Sequence, residues 1–304
     1  MTVVEGTPAD APAERPAVRE PVPFGPGTLL WDMMGLYSGA VAGNSAFILQ
    51  SMHPTIGTVV DQLSTFRTDP LGRAARSFAS VQTWVYGGQE AVEEGRRLRR
   101  MHKPLSAVDA DGKRHHALSA DAWAWVHLTG FYAAVVAARY FAPAPLTPDE
   151  ERQVYDEFLN LGRILQVPER MFPAGVEDYW AYFDDMVANT LVPHTVALEV
   201  IDALDKVPPT VPDPWRRILA PVAMAGGRVQ RLITVGTLPA GAREKLGVSW
   251  TRADERRLRT VGQLIGRSTP HLPERLRYMP IAYRARQAAR ARQRLEEALA
   301  KRPM

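Results

Sequence analysis

From Leu29 to Met52 the chain reads LLWDMMGLYSGAVAGNSAFILQSM, with apolar residues recurring at helical spacing up to His53-Pro54. TIGTVVDQLSTF continues that pattern and stops at the Asp69-Pro70 turn. Leu71 to Tyr86 and Gln89 to His102 then read as two helices joined by a short glycine turn. DADGKRHH, within Ser106 to Leu118, is a polar turn region. Ser119 stands as N-cap before an apolar helix running from Ala120 to about Ala142. Thr147-Pro148-Asp149-Glu150 combines cap, proline and acidic first turn, so a helix starts there and ends near Gln166, before Val167-Pro168. VEDYWAYFDDMVAN, Thr195 to Asp205, Asp213 to Gly236, Gly241 to Leu246, Thr251 to Ile265 and Glu274 to the end complete the set.

Alternating β-branched runs are nearly absent, and no repeat or internal boundary divides the chain. The pattern predicts an all-α protein, a single helical domain of roughly ten helices over residues 26–304. Residues 1–25, rich in Pro, Ala and Glu, are expected to form a disordered tail. With 46% hydrophobic residues in 304, a sizeable core is expected. The longest uncharged stretch of the helical body, Ala122 to Ala138, has 17 residues and includes His127, Thr129 and Gly130. A spanning helix needs about 20 apolar residues, so a buried central helix and no transmembrane segment are expected. The N-terminus lacks a basic and apolar leader, which makes a cytoplasmic location the default.

Composition removes several chemistries. Without cysteine there is no disulfide, iron–sulfur cluster, thiolate-ligated or c-type haem, or cysteine nucleophile. No H-E-x-x-H, P-loop, G-x-G-x-x-G or G-x-S-x-G pattern occurs. The net charge of +4 is concentrated at the end, where Glu274 to Met304 holds nine Lys/Arg against three Glu. Lacking aromatic interleaving, this helix reads as a solvated terminal helix paired with acidic partners on the body, and no nucleic-acid partner is expected.

The densest candidate chemistry lies between Phe66 and His102. Arg73, Arg76 and Ser77 share one helix face, and Arg99 stands one turn before His102. A histidine beside arginines suits a haem, imidazole to iron and guanidinium to propionate. An exposed basic helix face whose terminal His complements the helix dipole is the commoner arrangement, and spacing alone favours it.

The D-P-x-G-R-x-x-R-S block starting at Asp69, the V-x-x-x-x-Y-G turn ending at Gly87 and the R-x-x-H sequence ending at His102 resemble the haem-b oxygenases that include the latex-clearing rubber oxygenases and the mycophenolic-acid-pathway oxygenase. The likeness runs from about Trp31 to Tyr283 and is strongest between His53 and Phe131. In the rubber-cleaving branch a His ligates the iron and a helix carrying Arg-x-x-Lys-Thr covers the other face. The resemblance therefore implies haem b, with His102 as iron ligand and Arg99 beside it. It implies Arg73 as the distal Arg, with Arg76 and Ser77 at the Lys and Thr positions. It also implies that the polar turn near DADGKRHH pairs as a small hairpin. A second Arg expected after the ligand is replaced by Ser106. Because Arg is essentially never neutral and is a poor iron ligand, the distal side is expected to be open to a small molecule.

Under this resemblance the chain is a haem-dependent oxygenase or peroxidase-like enzyme using oxygen or peroxide on a small apolar, isoprenoid or aromatic substrate. Trp84, Trp123, Trp125 and Phe131 are the expected pocket lining. His127, inside the most apolar helix, is a rival ligand, a pocket-lining residue or a core histidine bonded to a carbonyl; pocket lining is the preferred reading. Asp61 is either a distal acid/base or a salt-bridge partner. His53 is expected to close a helix, and His194 and His271 to sit in loops. Adjacent His115 and His116 diverge in direction and make a poor zinc site. The alternative is a non-catalytic helical binding protein with a basic C-terminal helix.

Overall fold

A computed structural model describes residues 20–204, 206 and 215–301. Most of the expected tail lies outside these residues. Its final part is held in place: Phe24 is buried in the core, and Val22 exchanges two hydrogen bonds with the Asn160 side chain.

Four helices open the fold, α1 (Leu29–Met33), α2 (Tyr37–Ala40), α3 (Gly43–Ser51) and α4 (Pro54–Leu63). The long pair α5 (Pro70–Tyr86) and α6 (Glu90–His102) follows, then the antiparallel hairpin of β1 (Ser106–Val108) and β2 (Arg114–His116). Next come α7 (Ala120–Phe141), α8 (Pro148–Ile164), α9 (Val176–Asp185) and α10 (Thr195–Ala203). The chain continues with α11 (Trp215–Gly236), α12 (Ala240–Lys245), α13 (Arg252–Ser268), α14 (Glu274–Arg277) and α15 (Pro280–Ala300). The class is all-α, with more breaks than the apolar spacing predicts.

The continuous run expected from Leu29 to Met52 divides at Gly35. There the backbone carbonyl accepts from Met279 N–H, and Leu36 forms a β-bridge with Tyr278. A side chain at Gly35 would overlap the Tyr86 ring and Ala282, so a glycine is what lets the two ends of the fold meet. The same junction separates α14 from α15, which the sequence pattern had joined.

α7 is the central helix. Fifteen of its residues are buried, and α2, α3, α8 and α13 pack around it. A helix apolar on every side is stable only when surrounded. Ser119 occupies its N-cap position, but its hydroxyl makes no capping bond. Asp121 in the first turn supplies the favourable charge there instead. Thr147 and Glu150 form the expected capping box on α8, and Thr251 with Asp254 forms another on α13. In α15 Arg286 pairs with Asp32 on the body, and both Arg286 and Arg290 pair with Glu274 within the same terminal segment. No helix among the described residues is long and apolar enough to cross a membrane.

Candidate active site

Local chemistry aims α5 and α6. Asp69 caps α5 by accepting from Gly72 N–H at 3.0 Å, and its other oxygen accepts from Arg76 at 2.9 Å. Pro70 sets the first helical residue. After Tyr86 the chain reverses through Gly88, whose φ of 56° is easy only for glycine, and α6 packs back along α5. Gly95 fixes how deep α6 sits, because a Cβ there would overlap the carbonyl oxygen of Ile164 in α8.

Between these helices and α3, α4 and α7 lies a cavity of about 1840 Å³. Arg73, Ser77, Ser80 and Trp84 line it as one stripe of α5 at helical spacing. α6 contributes Glu94, Arg97, Leu98, Met101 and His102. α7 contributes Trp123, Val126 and His127, then a run of small residues, Gly130, Ala133, Ala134, Ala137 and Ala138. These short side chains leave the space that bulkier neighbours would fill.

His102 is half-buried at the wall. Its Nδ1 lies 2.8 Å from the Leu98 carbonyl oxygen, which can only accept, so Nδ1 carries the proton and Nε2 the lone pair. The Trp123 ring meets it edge-on with centroids 5.3 Å apart. Burial lowers the His102 pKa below its ordinary value. The Leu98 bond opposes that shift, while the positive charges of Arg73 and Arg97 reinforce it. The imidazole is neutral, as a metal ligand must be.

His127 is fully enclosed, and burial brings its pKa down to about 4. Its Nε2–H donates to the Phe158 carbonyl at 2.8 Å, and Phe158 and Phe172 flank the ring. It is both a carbonyl-bonded core histidine and part of the cavity wall.

Arg73 donates through Nε to Ser64 Oγ at 2.9 Å and stacks on Phe47 at 4.2 Å. Burial lowers its pKa, with the Arg76 charge adding to the effect. Among the described residues no carboxylate pairs with it. Arg76 also borders the cavity, but it is exposed and tied to Asp69 and Thr65. Arg99 does not line the cavity. Its side chain lies on the far side of α6 from Arg97 and reaches the Gln166 carbonyl at 3.3 Å. Trp125 and Phe131 are also outside the lining: Trp125 donates to the Leu49 carbonyl, and Phe131 is packed among Tyr155, Phe158 and Tyr179.

Asp61 is a salt-bridge partner, holding Arg67 together with Glu199. His53 is buried with Nδ1 unbonded, and burial lowers its pKa. His115 joins the hairpin to α4 by bonding Asp109 at 2.7 Å and Thr55 at 3.0 Å, whereas His116 turns to the Lys103 carbonyl. His194 caps α10, accepting from Val196 N–H, and His271 ends a short turn.

Three cavity residues escaped sequence reasoning. Ser80 donates to Glu94 at 2.6 Å, and Glu94 accepts two bonds from Arg97. Arg97, foremost, and then Ser80 hold the Glu94 pKa below the usual carboxylate range. The i,i+3 spacing of Glu94 and Arg97 was a visible signal, and so was the small-residue stripe of α7.

A helical shell around one large, mostly apolar chamber, with histidines and half-buried arginines in its wall, is suited to enclosing a small molecule. The chain belongs to the family described as ER-bound oxygenase mpaB/B'/rubber oxygenase, catalytic domain, which it matches over residues 31–267. It is thus an enzyme of an oxygenase family. No curated protein and no solved structure gives a significant match.

Proposed function

We propose that the chain is a haem-b-dependent oxygenase acting on a small apolar substrate, isoprenoid or aromatic, with molecular oxygen or peroxide as co-substrate. The observation that carries this reading is the hydrogen bond from His102 Nδ1 to the Leu98 carbonyl, which leaves Nε2 unprotonated at the wall of a large cavity. Metal-bound histidines characteristically donate their other ring N–H in this way.

The residues present fit the cofactor. His102 would hold the iron, and Arg73, half-buried without a carboxylate partner among the described residues, would meet a propionate or another developing negative charge. In a site shielded from water such a cation acts more strongly than at the surface. Bound there, the haem would supply the redox chemistry that oxygenation of a hydrocarbon skeleton needs and that no side chain provides.

The chain's own part is binding and orientation. The alanines of α7 and the rings of Trp84 and Trp123 exclude water and give an apolar substrate its surface. Ser77 and Ser80 place hydroxyls on the same stripe as Arg73. His127 makes the same kind of carbonyl bond through Nε2, and is read as wall rather than ligand because its ring is fully enclosed between Phe158 and Phe172 and the R-x-x-H sequence ends at His102. The cavity exceeds the ~300–1,000 Å³ of an ordinary ligand site, which leaves room for a substrate beside the cofactor.

Visible absorbance of the purified protein tests the reading. A Soret band that survives desalting, or appears on adding haemin, is expected. A colourless protein that takes up no haemin would refute it.

A further inference from the structure

Arg277 takes no part in the site described above. It ends α14, beyond residue 267 where the family match stops, yet it lines the same cavity. Its Nε is buried without a hydrogen-bond partner. The nearby carboxylates are already engaged: Glu274 accepts from Arg286 at 2.8 Å and from Arg290 at 2.6 Å, and Asp32 accepts from Arg286 at 2.6 Å. Among the described residues Arg277 has no ion-pair partner, only the adjacent Tyr278 ring with its centroid 5.9 Å away. A buried N–H with no acceptor is costly, and a guanidinium fork is shaped for a carboxylate.

Its position differs from that of the other cations. Arg277 adjoins the Leu36–Tyr278 bridge, close to Tyr86 where α5 ends, whereas His102 closes the far end of α6, so the two mark different parts of the chamber.

We propose that Arg277 is a carboxylate-binding residue, anchoring the acid head of an amphiphilic ligand whose apolar remainder lies along the alanine wall of α7. The carboxylate belongs either to a fatty-acid-like or terpenoid-acid substrate or to a porphyrin propionate. The first source deepens the function proposed above by naming its substrate class, and it rests on that reading only for the chemistry that follows binding.

The test uses the full-length protein as purified. Laurate and 1-dodecanol are titrated by quenching of tryptophan fluorescence, and haemin separately by its absorbance. Laurate should bind roughly tenfold or more tightly than 1-dodecanol. Arg277→Gln should erase that preference, Arg277→Lys should keep part of it, and both variants should match the parent circular dichroism. If instead haemin affinity falls in Arg277→Gln and laurate has no advantage in the parent, the carboxylate is the porphyrin's and the subsite stands. Equal laurate and dodecanol affinity, together with unchanged haemin affinity in Arg277→Gln, overturns the proposal. A protein that never takes up haemin but shows an Arg277-dependent laurate preference would defeat the haem reading alone.

Discussion

The Nδ1 atom of His102 and the carbonyl oxygen of Leu98, one helical turn earlier, are 2.8 Å apart. This contact selects the tautomer whose Nε2 is free for a metal, whereas His127 binds Phe158 through Nε2 and so holds the opposite tautomer, with Nδ1 unprotonated. His102→Ala should lower haemin affinity at least roughly tenfold and remove the Soret band of the purified protein. His127→Ala should retain the band, while losing about 1–3 kcal/mol of stability from the unpaired Phe158 carbonyl. Loss of the band in the His127 variant alone would reassign the ligand.

Acid should destabilise the protein through its buried histidines. His127 has a folded pKa of about 4 against an ordinary 6.5, so the unfolded chain binds the proton more readily. Its contribution is therefore full above pH 6.5 and is lost as pH falls toward 4. The loss amounts to about 3 kcal/mol. His53, His102 and His194 shift in the same direction, each chiefly through burial. Denaturant titrations across this window should show stability falling with acid, and His127→Gln should flatten the slope. An unchanged slope in that variant would remove His127 as the cause.

Gly95 sets the depth of α6 and hence the position of His102. Gly95→Ala must push the helix off the Ile164 carbonyl, since a backbone atom cannot rotate away. A loss of about 1–3 kcal/mol is expected. Weaker haemin retention should accompany it, measured by desalting at a temperature where the variant remains folded.

Filling the alanine wall should affect substrate more than fold. Ala133→Phe projects into open space rather than into a packed core, so its thermal midpoint should stay close to the parent. Binding of an apolar ligand such as 1-dodecanol should weaken roughly tenfold, consistent with loss of buried contact area. Undiminished dodecanol binding would place the ligand elsewhere.

Haem loading itself should raise the thermal midpoint, because a ligand that binds only the folded state stabilises it by mass action. Melting curves with and without haemin measure this. No rise at saturating haemin would argue against a specific site.

The helical class, the capped starts of α5 and α8 and the central burial of α7 were legible because each rests on local chemistry: Asp69-Pro70, Thr147 with Glu150, and an unbroken apolar run. The division at Gly35 was not, since it depends on a partner at the other end of the chain. His102 and Arg73 could be singled out by motif and spacing, and both reach the cavity. Arg99 was misplaced because residues one turn apart are neighbours without sharing a target, and here α6 presents Arg97 to the cavity while Arg99 turns to Gln166. Trp125 and Phe131 were assigned to the pocket on aromatic character alone, although the orientation of α7 turns them into the core. Arg277 was seen only as one charge in a basic tail. Its missing partner becomes apparent once Glu274 and Asp32 are seen to be occupied.

The bridge between Leu36 and Tyr278, reinforced by a Tyr278 hydroxyl bond to Asp32 across 246 residues, has a consequence for biogenesis. During synthesis the opening helices emerge first and must wait for Tyr278 to leave the ribosome before that seam can form. A nascent chain therefore has an unsealed chamber. Any prosthetic group should be captured durably only after Tyr278 has emerged, and a truncated product lacking α14 and α15 should leak whatever it has bound.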